Sequence, residues 1–341
     1  MTHEFKDIVT AYLMATEKGL KTVLATVVDL DGSSYRKPGV RMLLLENGDM
    51  IGAVSGGCVE KDIARKAMSV FEDGKSKMMI YDGRFRLGCE GVLYILIEIF
   101  KPNDSFVSDF SECLNIRKRF KFDSYYRKEE GVFNGIGTFV ELQELGYSVS
   151  DIPPQESIVG DGSILHFTQT MRPCFKLMIF GAEHDAVQLC TFASLNGWEV
   201  TVVSGPMEPK TIDNFPGATD FYSASPDMLE LSRIDDQTAI VLMSHNFAND
   251  LKFLIELKDT SPAYLGLLGP AHRREKLLSQ LIEYIPDVNE KFIDLIHGPA
   301  GLNIGAETPQ EIAVSILSEI LSVVRDKKPI LLKEKEGGIH A

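Results

Sequence analysis

The sequence predicts an α/β chain in two parts, an N-terminal α+β domain and a C-terminal domain built on a doubly wound parallel sheet. Three observations carry that prediction. Short apolar β-rich runs alternate with segments of helical periodicity along most of the chain. Residues 175–203 read strand, glycine turn, helix, strand within about thirty residues, the βαβ unit of a parallel sheet. The chain has 341 residues, long for one domain and comfortable for two, and Pro153-Pro154 and Gly160-Asp161-Gly162 mark loops before it. The boundary falls near 165–173, giving parts at 1–170 and 171–341.

Composition narrows the function classes. Hydrophobic residues make up 44% and charged residues 25%, which suits a soluble folded protein. Lys and Arg number 35 against 49 Asp and Glu, a net charge of -14 that disfavours nucleic acid and anionic membrane as general partners. Any anionic ligand must then be held by a local site. The opening Met1-Thr2-His3-Glu4-Phe5-Lys6-Asp7 leads into no apolar signal region, and the longest apolar-rich run, Val92 to Phe100, contains Glu98 and is too short to span a bilayer. A cytoplasmic protein is expected. Five cysteines, at 58, 89, 113, 174 and 190, are an odd count without a C-x-x-C pair, so neither a disulfide framework nor a structural zinc site is expected.

In the first part, residues 5–18 predict a helix with Phe5, Ile8, Val9, Tyr12 and Leu13 on one face, stopped by Gly19. Strands follow at Val23–Val28 and Arg41–Leu45, with turns at Asp31-Gly32 and Asn47-Gly48. The short run Ile51–Val54 leads to Ser55-Gly56-Gly57-Cys58-Val59-Glu60. A helix then runs on, with Ile63, Ala64, Ala67, Met68 and Phe71 at helical spacing until Gly74. Two glycines before a helix allow a tight turn and leave its first N–H groups able to hold an anion. A thiol there is favoured as thiolate, both nucleophile and soft metal ligand, whereas many free cysteines are only small buried hydrophobes. Met78–Tyr81 and Val92–Phe100 read as strands around a loop carrying Arg84, Arg86, Gly88, Cys89, Glu90 and Gly91. Residues 101–173 say least: a helix-like stretch at 106–114, a basic run from Arg117 to Lys121 read as a solvated face, and glycines at 131–137.

The second part opens with the strand Phe175–Phe180, the turn Gly181-Ala182-Glu183-His184, a helix from Ala186 to Asn196 stopped by Gly197, and the strand Trp198–Val203. This is a Rossmann-like beginning with an altered signature. Glu183 stands where the second glycine of G-x-G-x-x-G lets a pyrophosphate approach, and Ser204 follows the second strand where an acid would bind ribose hydroxyls. Ordinary NAD(P) binding is therefore disfavoured. Further strands are read at Ala239–Met243, before Ser244-His245-Asn246, and at Ala263–Gly269, before a helix from Ala271. A glycine loop at 297–306 precedes the capping box Thr308-Pro309-Gln310-Glu311, and Ile312, Ile316, Leu317, Ile320 and Val324 mark the buried face of the last helix. Strand-end loops line the crevice in such folds, which makes Gly181, His184, His245 and Asn303 candidate site residues, though a histidine at a strand end is about as often a backbone hydrogen-bond partner. No G-x-S-x-G, H-E-x-x-H or Walker loop occurs.

Gly32-Ser33-Ser34-Tyr35-Arg36-Lys37-Pro38-Gly39, Arg41-Met42 and the SGGCVE stretch at 55–60 resemble the opening half of the XdhC/CoxI family. Tyr264-Leu265-Gly266-Leu267-Leu268-Gly269 and residues 298–319 resemble its second half. The likeness covers about 20–100 and 175–325. It departs from the family at Glu90, Glu183 and Ser204. Members of that family are accessory proteins of molybdenum hydroxylases, and its best-described members bind the molybdenum cofactor, support its sulfuration and deliver it to apoenzyme. The resemblance implies that Cys58, assisted by Cys89, coordinates molybdenum or stabilises its sulfurated form within the Ser55-Gly56-Gly57-Cys58-Val59-Glu60 loop. Arg36, Lys37 and Arg41 would hold the pterin phosphate, although without the resemblance the Gly32–Gly39 loop reads more readily as a solvated hairpin tip. It further implies transient binding of the cofactor, an apo xanthine dehydrogenase-type partner, a sulfur-donating cysteine desulfurase and a homodimer. The competing reading is an NAD(P)-dependent oxidoreductase using the second domain. A catalytic component of xanthine dehydrogenase itself is a third, and nothing in the sequence resembles that enzyme's iron–sulfur, flavin or molybdenum domains.

Overall fold

A strand that is apolar at nearly every position must be covered on both faces, and residues 23–28, interrupted only by Thr26, meet that condition. The computed structural model describes residues 1–34, 36–85, 91–150 and 163–335, without the side chains of Cys58 and Phe85. The chain divides into two units, Met1–Pro173 and Cys174–Ala341.

In the first unit the elements are α1 (Thr2–Glu17), β1 (Thr22–Asp31), β2 (Arg41–Leu45), β3 (Met50–Gly52), α2 (Cys58–Asp73), β4 (Lys77–Asp82) and β5 (Val92–Ile99). They are followed by α3 (Asp104–Asn115), β6 (Phe120–Tyr126), β7 (Gly131–Val132), β8 (Gly137–Leu142), β9 (Leu145–Ser148) and β10 (Leu165–Met171). One sheet has the order β3-β2-β1-β5-β4-β7. Val23, Ala25 and Val27 of β1 pack with Ile63, Ala67 and Val70 of α2 on one face. Leu24 faces the other way, toward Phe5 and Ile8 of α1 and Phe106 and Phe110 of α3. The period-two alternation of strand side chains thus divides β1 between two cores.

A second sheet, β10-β6-β8-β9, was not foreseen in the stretch 101–173. In β6, Phe120, Phe122, Ser124 and Tyr126 alternate inward, so the basic run Arg117 to Lys121 continues into a strand buried on one face. Leu13 and Met68, expected on buried helix faces, are 41% and 53% exposed. Leu13 lies one position, about 100° of helix rotation, past Tyr12, and the buried stripe continues instead at Ala15.

The second unit contains β11 (Lys176–Phe180), α4 (His184–Leu195), β12 (Glu199–Ser204), β13 (Asp220–Ser223), β14 (Thr238–Leu242) and α5 (Phe247–Leu257). It continues with β15 (Tyr264–Leu267), α6 (Ala271–Tyr284), α7 (Glu290–Asp294), β16 (Ile296–His297) and α8 (Pro309–Val324). Every strand pair is parallel, in the order β13-β12-β11-β14-β15-β16. Numbered within the unit this is 3-2-1-4-5-6, the dinucleotide-fold order, with its switch point between β11 and β14. Two cores cover the sheet: α4 and α8 on one face, α5 and α6 on the other. The Thr308–Glu311 capping box opens α8 as the sequence predicts. Among the described residues no helix is long and apolar enough to cross a membrane.

Candidate functional site

The first unit brings the strand ends that flank its three glycine connections to one end of a sheet. β1 runs antiparallel to β2 and β5, β2 to β3, and β5 to β4. The ends that carry the connections 32–40, 53–57 and 83–91 therefore all lie at one end of the sheet, where α2 also begins. Close contacts tie these loops together. A Cβ on Gly91 would stand 2.4 Å from the Ser33 carbonyl oxygen, so only glycine permits that approach. Arg36 donates from Nη1 to the Ala53 carbonyl, joining the Gly32–Gly39 loop to the approach to Cys58.

Within Ser55–Glu60 the polar groups satisfy one another. The Glu60 carboxylate folds back to accept from the Val54 and Ser55 N–H groups at 3.2 and 2.7 Å and from the Ser55 hydroxyl at 2.7 Å. Ser55 Oγ in turn accepts from Gly57 N–H at 3.3 Å and Val59 N–H at 3.4 Å. Glu60 is buried, which pushes its pKa up, but the Ser55 hydroxyl and the backbone donors outweigh burial and hold it below the usual carboxylate range. Gly57 caps α2 with φ +113°, and Gly56 and Gly57 are exposed. Cys58 is the first residue of α2. The position of its thiol, and Arg86, Leu87, Gly88, Cys89 and Glu90, lie outside the described structure. Among the described residues no three His, Cys, Asp or Glu side chains gather as a metal site.

The basic residues near the loop divide sharply. Arg36 is partly exposed and bonded through Nη2 to Glu4 Oε1 at 2.7 Å, while Lys37 is exposed on the same loop. Arg41 is turned inward. Its Nη1 donates to the Gly39 carbonyl at 2.8 Å and to Gln169 Oε1 at 2.6 Å, and its guanidinium lies 3.5 Å from the centroid of the Phe122 ring. Burial pulls its pKa down to about 9, leaving it a cation at neutral pH. Arg41 thus braces the loop end from beneath.

Beside the loops, where β1 bulges between Val27 and Asp29, lies a cluster that sequence reading missed. Lys128 Nζ sits 3.1 Å from Asp29 and 2.7 Å from Asp31. Tyr126 donates to Asp29 at 2.5 Å and Tyr94 to Asp31 at 2.7 Å. Asp29 is held below the usual range because these donors outweigh its burial. The cluster fastens the second sheet to the loop end of the first.

In the second unit Gly181, His184 and His245 stand on the two connections that leave β11 and β14 at the switch point. Gly181 has φ +141°, and a Cβ there would stand 2.3 Å from the Met243 carbonyl oxygen. His184, exposed, opens α4. His245 is held at φ +54°, a left-handed conformation uncommon outside glycine, with Nε2 3.5 Å from Asp185 Oδ2. Asn303 is exposed on a different loop, between β16 and α8. Lys210 donates to the Ala182 carbonyl and lies 3.8 Å from Glu183, so a lysine covers the altered glycine turn. The Ser204 hydroxyl is 2.8 Å from that of Ser223.

A second unforeseen cluster centres on Glu319. It accepts from the Tyr264 hydroxyl at 2.5 Å and Gly301 N–H at 2.7 Å, and lies 3.1 Å from His297 Nδ1. Burial pushes its pKa up, yet these donors hold it below the usual range, while burial and the carboxylate push the Tyr264 phenol up. The available signal was a carboxylate beside Ile316 and Ile320 on the buried side of α8.

Comparison with known proteins agrees with this architecture. Residues 15–82 match the XdhC and CoxI family and residues 177–320 the XdhC Rossmann domain. A protein of Bacillus subtilis (strain 168) named as a probable subunit of xanthine dehydrogenase is 31% identical over 88% of this chain and 92% of its own length. The molybdenum cofactor insertion chaperone PaoD of Escherichia coli (strain K12) is 25% identical over 95% of this chain and 90% of its own. A crystal structure described as a xanthine dehydrogenase from Bacillus halodurans superposes with a TM-score of 0.74 at 27% identity, covering 95% of this chain and 97% of that one. Matched in both halves and along nearly the whole length of such relatives, the chain belongs to the XdhC and CoxI family.

Proposed function

We propose that this protein is an accessory factor that takes up the molybdenum cofactor at the loop end of its first unit, supports its sulfuration and passes it to a xanthine dehydrogenase-type molybdoenzyme. The observation that carries this reading is that the strand ends bearing the three glycine connections lie at one end of the sheet, where α2 begins with Cys58 as its first residue. The N-terminal end of a helix favours thiolate over thiol, and thiolate is the form that binds a soft metal or carries sulfur. Glu60 and Ser55 satisfy each other and hold the turn in shape without needing a ligand. Arg36 and Lys37 supply positive charge for a phosphate beside the turn, and Arg41 fixes the loop that bears them. Cys89 belongs to the third loop and is assigned the assisting thiol. The names borne by two relatives, a cofactor insertion chaperone and a probable component of xanthine dehydrogenase, support the choice of cargo and recipient. A cysteine desulfurase is the proposed sulfur donor and a homodimer the proposed assembly.

The oxidoreductase alternative draws on the strand order of the second unit. Against it stand Glu183 at the phosphate approach and a serine pair, Ser204 with Ser223, where a ribose-binding acid would be needed.

The test is anaerobic incubation with freshly released molybdenum cofactor, then gel filtration with molybdenum and pterin assayed in the protein peak. Wild type is expected to carry both near stoichiometry. Cys58→Ala is expected to lose about tenfold or more, the scale seen even for groups behind a metal ligand. A wild-type peak without molybdenum and pterin overturns the proposal, and unchanged loading of Cys58→Ala overturns the role of Cys58.

A further inference from the structure

Arg36 makes two bonds of different kinds. Nη1 is fastened to the Ala53 carbonyl, a fixed point of the backbone leading into the Cys58 turn. Nη2 is bonded at 2.7 Å to the carboxylate of Glu4, in the first turn of α1. The side chains of this ion pair are 30% and 29% exposed, so an arriving solute can reach it. A guanidinium fork donates to a carboxylate or a phosphate with the same geometry. Glu4 thus presents to Arg36 the kind of oxygen an anionic ligand would present, at the end of the sheet where the loops meet.

We infer that Glu4 is a built-in competitor for the anion site, a carboxylate that holds Arg36 until a phosphate-bearing ligand displaces it. This rests on the reading of the loop end as the cofactor site and names the residue that sets its affinity. The exchange is inexpensive on both sides. Arg36 stays anchored to Ala53 and trades one oxyanion for another. Glu4, released, keeps the favourable field of the helix N-terminus and contact with water. Displacement also uncouples α1 from the Gly32–Gly39 loop, because Arg36 bridges the two.

The substitution that separates these roles is Glu4→Gln, which keeps a hydrogen-bond acceptor and removes the charge. Binding of freshly released cofactor, and separately of inorganic pyrophosphate, is measured for wild type, Glu4→Gln, Arg36→Ala and the double variant, with thermal melting as the control for folding. Glu4→Gln is expected to bind both ligands about two- to five-fold more tightly, the factor corresponding to an exposed ion pair. Arg36→Ala is expected to bind about tenfold or more weakly, as for loss of a charged hydrogen bond. In the Arg36→Ala background Glu4→Gln should change nothing.

Cofactor binding that Glu4→Gln leaves unchanged or weakens overturns the competition and leaves the cofactor reading standing. Pyrophosphate binding tightened by Glu4→Gln, with no cofactor binding by any variant, overturns the cofactor reading and upholds the competition. An equal effect of Glu4→Gln with and without Arg36 also overturns the inference.

Discussion

Two turns in this molecule share one local grammar, strand, glycine, helix, and differ in how their carboxylates are used. At Ser55–Glu60 the acid lies inside the first turn of α2 and reaches back to the Val54 and Ser55 N–H groups, so the turn is complete in itself. At Gly181–Glu183 the acid sits at the cap of α4 without a side-chain capping bond, and Lys210 must be brought from beyond β12 to offset it. The first turn is preorganised by local bonds. The second is shaped by close backbone packing and a distant cation. Glycine before a helix therefore predicts a turn, and the placement of neighbouring charge decides what the turn can hold.

The largest effect that distinguishes the two turns should come from the glycines. Gly181→Ala forces a Cβ to within 2.3 Å of the Met243 carbonyl at a φ of +141°, whereas a Cβ on Gly57 meets nothing within 4 Å at φ +113°. Gly181→Ala is expected to destabilise the second unit by about 3 to 5 kcal/mol, combining a clash with backbone strain. Gly57→Ala should cost about 1 to 2 kcal/mol from left-handed strain alone. Trp198, the sole tryptophan, reports urea unfolding of the second unit by fluorescence. Hydrogen exchange in α2 peptides reports the first. Equal losses would show that packing against Met243 does not set the second turn.

The next contrast is between buried carboxylates. Glu98 in the first unit accepts from Thr138 N–H at 3.0 Å and its hydroxyl at 2.6 Å, yet complete burial pushes its pKa up to about 7. Glu319 has three donors and some solvent contact, and its pKa is held below the ordinary 4.5. Their signs are opposite. A carboxyl with a raised pKa binds protons more tightly folded than unfolded, so stability from Glu98 declines as pH rises from 4.5 to about 7, by on the order of 3 kcal/mol. A depressed pKa stabilises above 4.5 and is lost as pH falls through the folded value. Hydrogen-exchange protection in β5 should therefore weaken toward neutrality and flatten in Glu98→Gln. Trp198-monitored stability should fall on acidification and flatten in Glu319→Gln. A profile of the same sign in both units would refute this assignment.

Much of the fold was legible because its signals are local. Gly74 and Thr308–Glu311 mark helix ends through chemistry contained in a few residues. The β10-β6-β8-β9 sheet was not legible, since β10 must find β6 some forty residues away and only pairing reveals them as strands. The candidate site shows the same limit. Cys58 at the start of a helix followed from spacing. Arg41 did not disclose its direction, because a strand covered on both faces gives no apolar alternation to tell an inward arginine from an outward one. Glu319 and Lys128 draw their partners from separate elements, so no window of sequence contains either cluster.

The smallest contrast returns to the two acids at the turns. Removing Glu60 leaves the buried Val54 N–H and the half-buried Ser55 N–H and hydroxyl without their acceptor, and Glu60→Ala should destabilise the first unit by about 2 kcal/mol. Removing Glu183 breaks no capping bond and relieves only an exposed pair with Lys210, so Glu183→Ala should lie within about 0.5 kcal/mol of wild type. The readouts are α2 hydrogen exchange for the first and Trp198 fluorescence in urea for the second. If Glu183→Ala proved as damaging as Glu60→Ala, Lys210 and Glu183 would have to form a structural clasp, and the turn in the second unit would be closed to ligands. A near-neutral Glu183→Ala instead leaves Lys210 able to meet another anion there, which makes pyrophosphate binding by that variant the direct measure of whether Glu183 alone bars the crevice.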